Sequence, residues 1–307
     1  TNHCGEQPLL PYEACNLGSL NLARYWVPDR HEVNWGQVVE DARAATRFLD
    51  NVIEVNVHPI PECSEATSRT RKIGLGVMGF ADLLLKMGIR YESDEAVKVG
   101  TKVMRIIQDS ARSCSVDLAK ERCAFPAWSG SRWQKAGLRK MRNATLTTVA
   151  PTGTLSAIAG VSSGIEPIFS AVLRRNVLEG RQLVQVHPAL ADLIGIEKMK
   201  AWKGDVDLLA RQELGTAWMV AREVSVSGHV RVQAAFQKYC DSGVSKTVNL
   251  PGKAGRDAVR QAFVEAHRLG CKGITVFRDG CRGQGEQVLE EVQTGEQSEH
   301  IRCLDCS

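Results

Sequence analysis

In the second half of the chain, short β-branched runs alternate with amphipathic stretches of helical length, and this alternation restricts the fold more than any other feature. Residues 145–150 (Thr-Leu-Thr-Thr-Val-Ala) read as a strand that enters a loop at Pro151. Residues 245–250 read as a second strand, stopped by Pro251-Gly252. A helix over about 256–269 and a closing strand over 273–277 follow. Strands separated by helices pair in parallel, because each helix carries the chain back to the same end of the sheet. The expected class is therefore α/β. A strand at 168–173 and helices near 188–194, 207–222 and 228–239 occupy the interval. In the first half, Val38, Val39, Ala42, Ala45, Phe48, Leu49 and Ile53 recur at helical spacing and predict a helix over 35–56. Ser93, followed by Asp94 and Glu95, caps a long helix running to about residue 121.

Composition removes several function classes. With 307 residues and 43% apolar content, the chain can bury a full core as one or two domains. A formal net charge of +4, dispersed along the sequence, does not point to nucleic acid. No apolar run approaches the roughly 20 residues of a membrane span, and the Thr1-Asn2-His3-Cys4 start lacks signal-peptide character. A cytoplasmic protein is the default expectation. Thr1 does not read as a natural start, so further sequence is expected in front of it.

Ten cysteines are scattered through a chain large enough to fold without staples, which argues against a secreted disulfide framework. Cys63, Cys114, Cys123, Cys240 and Cys271 read as small buried apolar residues. Two groups stand apart: Cys4 with Cys15 near one end, and Cys303 with Cys306 at the other. The domain expectation is a catalytic unit over 1–280 and a flexible tail over 281–307, polar and acidic until its Cys-Leu-Asp-Cys tip. A single pair does not complete a four-cysteine zinc site, so no metal site is expected and a mobile redox dithiol fits better.

The most reactive cluster is at the start. In Asn2-His3-Cys4-Gly5-Glu6-Gln7-Pro8, an amide, a thiol and a carboxylate occupy alternate positions, and in an extended segment they would share one face. A second run, Leu10-Pro11-Tyr12-Glu13-Ala14-Cys15-Asn16-Leu17, follows. Together these blocks resemble the active-site finger loop of ribonucleotide reductases, with His3 standing where that family usually has Pro. The resemblance implies that Cys4 carries a thiyl radical that removes hydrogen from the ribose 3′ carbon. It implies that Glu6 takes the 3′-hydroxyl proton and that Asn2 positions the substrate's hydroxyls. Cys15 becomes one of two cysteines donating electrons as the 2′-hydroxyl leaves as water. Its partner cysteine is expected in an N-terminal half that this sequence does not contain.

Ala150-Pro151-Thr152-Gly153-Thr154-Leu155-Ser156 leaves a strand and opens a short helix, where backbone N–H groups and hydroxyls suit phosphate. On spacing alone a plain turn is equally good. The run resembles the reductase loop that binds substrate phosphates, which implies that role for Pro151 through Ser156, and Gly160-Val161-Ser162-Ser163-Gly164-Ile165-Glu166-Pro167 continues the pattern. Two other motifs read as decoys. Gly74-Leu75-Gly76-Val77-Met78-Gly79 fits a dinucleotide fingerprint but lacks a sufficient strand lead, and residues 71–85 resemble a structural helix-turn segment of the reductases. Asp29-Arg30-His31 hints at a cobalamin-ligating pattern whose glycine is absent.

The resemblance also covers Gln233-Ala234-Ala235-Phe236-Gln237 and Gly273-Ile274-Thr275-Val276-Phe277-Arg278-Asp279-Gly280. Tyr12, Tyr25, Tyr91 and Tyr239 are the only tyrosines and none adjoin, unlike reductases that receive a radical from a metal-bearing subunit. The short interval from Cys4 to Cys15 resembles the cobalamin-dependent class. The implied cofactor is adenosylcobalamin, and the implied fold is half of a ten-stranded α/β barrel with a central finger loop. The implied partners are a ribonucleoside di- or triphosphate substrate, the N-terminal half of the reductase and a thioredoxin-like reductant, with a homodimer of the complete enzyme. No membrane and no nucleic acid partner is expected. The alternative is a catalytically incomplete reductase-like module serving assembly or nucleotide binding.

Overall fold

A computed structural model describes residues 1–176, 182–202, 204–281 and 290–291. After an irregular loop, β1 (Asn16–Asn21) leads through a small antiparallel pair, β2 (Trp26–Val27) and β3 (Glu32–Val33), into helix α1 (Trp35–Val55). Asn34 starts α1 by accepting the Gln37 amide through its side chain, and Val38, Ala42, Thr46 and Leu49 form the buried stripe. Helix α2 (Pro61–Thr70) follows, and Arg71 in left-handed backbone turns the chain into β4 (Ile73–Met78). β4 lies parallel to β1, with Asn16 opposite Ile73.

Helix α3 (Phe80–Lys86) leads to α4 (Asp94–Arg122), a 29-residue helix begun by Ser93, whose hydroxyl accepts from the Ala96 amide. α5 (Arg132–Lys135) precedes the extended segment 145–149, and α6 (Gly153–Ala159) follows it. An antiparallel pair comes next, β5 (Val172–Asn176) with β6 (Gln182–Val186), then α7 (Pro188–Ile194), α8 (Ile196–Ala201) and α9 (Val206–Leu214). Ser225 caps α10 (Val226–Gln237). β7 (Thr247–Leu250), α11 (Arg256–Arg268) and β8 (Thr275–Arg278) complete the parallel unit, and β9 (Glu290–Glu291) pairs with β5.

Parallel bridges Leu75↔Thr147 and Val149↔Val244 join β4, the segment 145–149 and the run into β7, which pairs in parallel with β8. Five parallel segments therefore stand in the order β1, β4, 145–149, β7, β8. They form no closed barrel among the described residues, so the α/β class stands while the ten-strand count has no counterpart here. Helices α1, α4 and α10 cover the sheet. α4 and α10 meet where Gly100 faces Phe236: a Cβ at residue 100 would lie 2.7 Å from that ring. Phe236 also packs edge-to-face on Phe80 at 4.9 Å, and truncating so buried a ring costs about 3–5 kcal/mol.

Three expected elements differ. The helix over 207–222 stops at Leu214, because Gly215 takes a positive φ of 56°. The strand over 168–173 begins only at Val172, with Ser170 bonding Val172 in a local turn. The glycine run at 74–79 is a buried strand rather than a helix-turn. A Cβ on Gly74 would lie 2.6 Å from Leu17 and one on Gly76 2.2 Å from the Thr148 carbonyl oxygen, so these glycines let the sheet and the loop above it close up. Of the cysteines expected to be buried, Cys114 and Cys240 are; Cys63 and Cys271 are half-buried, and Cys123 is exposed.

Candidate active site

The opening loop folds back on itself rather than running extended. The Gly5 amide donates to the Asn2 carbonyl (3.1 Å) and Gly5 takes a φ of 78°. This turn, not strand alternation, brings Asn2 to Glu6: Asn2 Nδ2 donates to Glu6 Oε1 at 2.6 Å, while Asn2 Oδ1 accepts the Gln7 amide at 3.1 Å. Cys4 stands exposed at the tip beside exposed His3. Glu6 is 2% exposed, and its second oxygen, Oε2, has no partner among the described residues. A buried carboxylate with an unused oxygen carries an unmet demand for a hydrogen bond, which suits a group that must accept a proton.

The loop is seated on the sheet by its backbone. Gly243 N donates to the Glu6 carbonyl at 2.6 Å, and Thr148 Oγ1 lies 3.3 Å from that oxygen and 3.0 Å from the Gly243 carbonyl it also serves. A Cβ on residue 243 would fall 2.8 Å from Glu6 Cα, so the approach requires glycine. Neither Thr148 nor Gly243 carries a reactive group or a motif, and sequence reading had no signal by which to select them. The far end of the loop is tied down by Glu13, which accepts from Lys72 Nζ, Thr70 Oγ1 and the Leu10 amide, each at 2.6 Å. Burial works to raise the Glu13 pKa, but these bonds outweigh it and hold the carboxyl below its usual range.

Cys15, at the start of β1, is held differently from Cys4. Burial pushes its thiol up to about 12, with Lys72 opposing and the carboxylates of Glu13 and Glu6 adding to the rise. It therefore stays protonated at neutral pH, a hydrogen donor rather than a thiolate.

Strand 145–149 delivers the second motif to the same place. Thr152 adopts left-handed backbone (φ 57°), and its Oγ1 accepts the Gly164 amide at 2.8 Å, which fixes the entry to α6. A cavity of about 370 Å3 opens between the two motifs, with Cys4 and Glu6 on one side and Pro151, Thr152, Gly153 and Leu155 on the other. Leu17, Gly18 and Ser19 of β1 form its floor, and a Cβ on Gly153 would meet nothing within 4 Å. Thr154 is exposed beside it. Ser156 turns inward, bonding Ser163 Oγ at 2.9 Å. Cys15 is not part of the lining, and Cys303 and Cys306 lie outside the described residues. The Asp29–His31 decoy is a surface turn in which His31 stacks edge-on to Trp26. No described helix is long and apolar enough to cross a membrane.

A thiol, a buried acid with a spare oxygen and a glycine-opened turn thus face one cavity, over β1 and just past the C-terminal end of the 145–149 segment. Comparison with known proteins agrees. The vitamin B12-dependent ribonucleoside-diphosphate reductase of Thermoplasma acidophilum is 49% identical over 298 residues, covering 94% of this chain and 38% of the relative. The protein of the same name from Mycobacterium tuberculosis (strain H37Rv) is 48% identical over 292 residues, 92% of this chain and 41% of its own length. The ribonucleoside-diphosphate reductase subunit alpha of Chlamydia pneumoniae is 29% identical over 326 residues, 91% of this chain and 31% of its own. The chain thus spans about two fifths of the B12-dependent relatives. The profile of the ribonucleotide reductase barrel domain matches residues 1–141 and 137–277, and with a match that extends over most of its length, the chain belongs to that family.

Proposed function

We propose that this chain is the catalytic C-terminal part of an adenosylcobalamin-dependent ribonucleotide reductase, converting ribonucleotides to 2′-deoxyribonucleotides. The observation that carries the reading is the single cavity lined by Cys4, Glu6 and the 151–155 turn. The relatives' printed names support the cofactor. The donor chemistry is compatible with it: the Cys4 sulfur is exposed at the loop tip, where an external radical source can reach it. Adenosylcobalamin, when bound, supplies the initiating radical, and Cys4 is the residue that would receive it.

The remaining work belongs to the chain's own groups. The turn after Pro151, with its open Gly153 backbone, holds the substrate's phosphates. Cys4 removes the hydrogen on the ribose 3′ carbon and returns it at the end. Glu6 Oε2 takes the 3′-hydroxyl proton while Asn2 keeps the other oxygen fixed. Cys15 and a cysteine of an N-terminal half supply two electrons and two protons, becoming a disulfide as the 2′-hydroxyl departs as water. Cys303 and Cys306 then reduce that disulfide by thiol exchange and are themselves re-reduced by a thioredoxin-like donor. In this reading the five parallel segments are half of a ten-stranded barrel, and β1 and β8, each with one neighbour among the described strands, await the other half. The complete enzyme would then be free to form a homodimer.

The test is turnover of the chain supplemented with an N-terminal half and adenosylcobalamin. Cys4→Ser should abolish it, since a hydroxyl holds its hydrogen too tightly to yield a usable radical. Multiple turnovers by that variant would end the assignment. A second reading, a module that binds nucleotide without catalysis, predicts no turnover even for the unaltered supplemented chain.

A further inference from the structure

A second cavity, of about 250 Å3, opens beside α6 and is lined by Ser156 and Ala157. Glu166 presents its carboxylate there, and the cavity's remaining polar wall includes Asn249 and His187. Behind Glu166 stands Lys246, whose side chain is 0% exposed. The ammonium donates to Glu166 Oε2 at 2.6 Å, to His229 Nδ1 at 2.9 Å and to the Thr247 carbonyl. An ammonium has three N–H donors, and all three are spent. His229 accepts through Nδ1 and is neutral, its pKa pulled down to about 2 by burial and then by the Lys246 charge. The Thr247 amide donates to Glu166 Oε1 at 2.6 Å, so both carboxylate oxygens are fixed in position while each keeps a lone pair.

Three consequences follow for an occupant. No lysine or arginine lines the cavity, the one buried cation behind it has no donor left, and the Glu166 carboxylate faces inward, so an anion such as phosphate is disfavoured. The Glu166 charge is already balanced by Lys246, so a cation is not demanded either. What remains unmet is acceptor capacity, framed by the apolar walls of Val161, Pro167, Phe169 and Pro188. An uncharged, flat ring that offers N–H donors answers all three conditions.

We propose that this cavity binds the amino-bearing base of an unphosphorylated nucleoside, with Glu166 accepting from its amino group and Asn249 completing the edge. The proposal rests on the nucleotide-reductase reading only in choosing a nucleoside among amino-bearing rings. Lys246 is a positioning residue: it holds the carboxylate and touches no ligand.

The test is equilibrium binding of adenosine to the whole 307-residue chain, by calorimetry, alongside purine riboside, which lacks the amino group. Adenosine should bind saturably and purine riboside about tenfold more weakly. Asn249→Leu, which alters a side chain on the cavity wall, and Ala157→Phe, which fills the space, should each weaken adenosine about tenfold or more. Both leave the Lys246–Glu166 pair intact, so loss of folding does not obscure the result. Excess inorganic phosphate should leave adenosine binding unchanged. Equal binding of purine riboside, displacement by phosphate, indifference to both variants, or no adenosine binding would each overturn the proposal. None of these bears on the reductase reading, whose failure appears instead as persistent turnover by Cys4→Ser.

Discussion

Two buried polar regions border the parallel segments, and they are built on opposite terms. Just before β4 and the 145–149 segment, Asp50 is fully buried and both its oxygens are engaged. Arg71 Nη2 (2.9 Å) and Asn143 Nδ2 (2.9 Å) meet Oδ1, while Arg122 (3.5 Å) meets Oδ2. Arg142 adds a contact at 3.6 Å and ties to Glu54. Over the sheet itself, with Gln7 against Gly74 and the Glu6 carbonyl against Thr148 and Gly243, Glu6 and Gln7 are as deeply buried, yet Glu6 Oε2 and both polar atoms of the Gln7 amide lack partners among the described residues. The first region holds α1, α2 and α4 to the sheet and spends both Asp50 oxygens within the protein, although Arg142 Nε has no hydrogen bond among the described residues. The second leaves hydrogen-bonding capacity unspent, a stability cost that makes sense where a substrate supplies the missing partner.

The comparison is sharpest in Glu6→Gln. Losing the proton acceptor should cost roughly 10^2- to 10^4-fold in turnover of the supplemented enzyme, with the melting temperature nearly unchanged. A large drop in melting temperature instead would make Glu6 a structural acid like Asp50. The converse is Asp50→Ala, which leaves buried Arg71 with Glu54 as its remaining acidic partner and should cost about 3–5 kcal/mol in denaturant unfolding. A loss below about 1 kcal/mol would mean the region is far better hydrated than its geometry indicates.

Between these extremes lies Gly243→Ala. The added methyl presses on Glu6 Cα, so the loop must lift, at a cost of about 1–3 kcal/mol if nothing else yields. Turnover should fall by about tenfold or more with KM little changed, because the thiol and acid shift while the phosphate turn stays. Unaltered kcat would show that the loop is not positioned by this contact.

The smallest effect concerns the two cysteines of the loop. Cys15 is raised from 9.0 to about 12 in the folded chain. Between those values the unfolded chain has released the proton and the folded chain has not, so stability declines as pH rises above about 9. Below that range the thiol contributes no pH dependence. Alkylation followed by peptide mapping at pH 9 should modify exposed Cys4 and leave Cys15 largely intact; equal labelling would remove the distinction.

Residue chemistry made much of this legible beforehand. Apolar spacing marked α1 and the Ser93 start signal marked α4, and the amide, thiol and acid of the opening loop stood out by type and alternate spacing. Their geometry was not legible, because the Gly5 turn replaces alternation and Thr148 and Gly243 act through backbone position. β1 and β4 escaped for a related reason. Gly18, Gly74 and Gly76 dilute the β-branched signature where the sheet needs close approach rather than bulk. The 150–156 turn was recognised as a strand-to-helix junction, but its opposition to Cys4 depends on the 145–149 segment pairing with β4 (Leu75 with Thr147) and with residues 242–245 (Val149 with Val244), partners distant in sequence.

The three spent donors of Lys246 have a consequence for chemical labelling. Amine-acylating reagents need a free lone pair on an accessible nitrogen, and this one is walled in and committed on every side. While the fold persists, reagent that acylates the surface lysines passes Lys246 by; once the core opens, it becomes an ordinary amine. Its acylation thus works as a clock, started by unfolding and read from a single peptide.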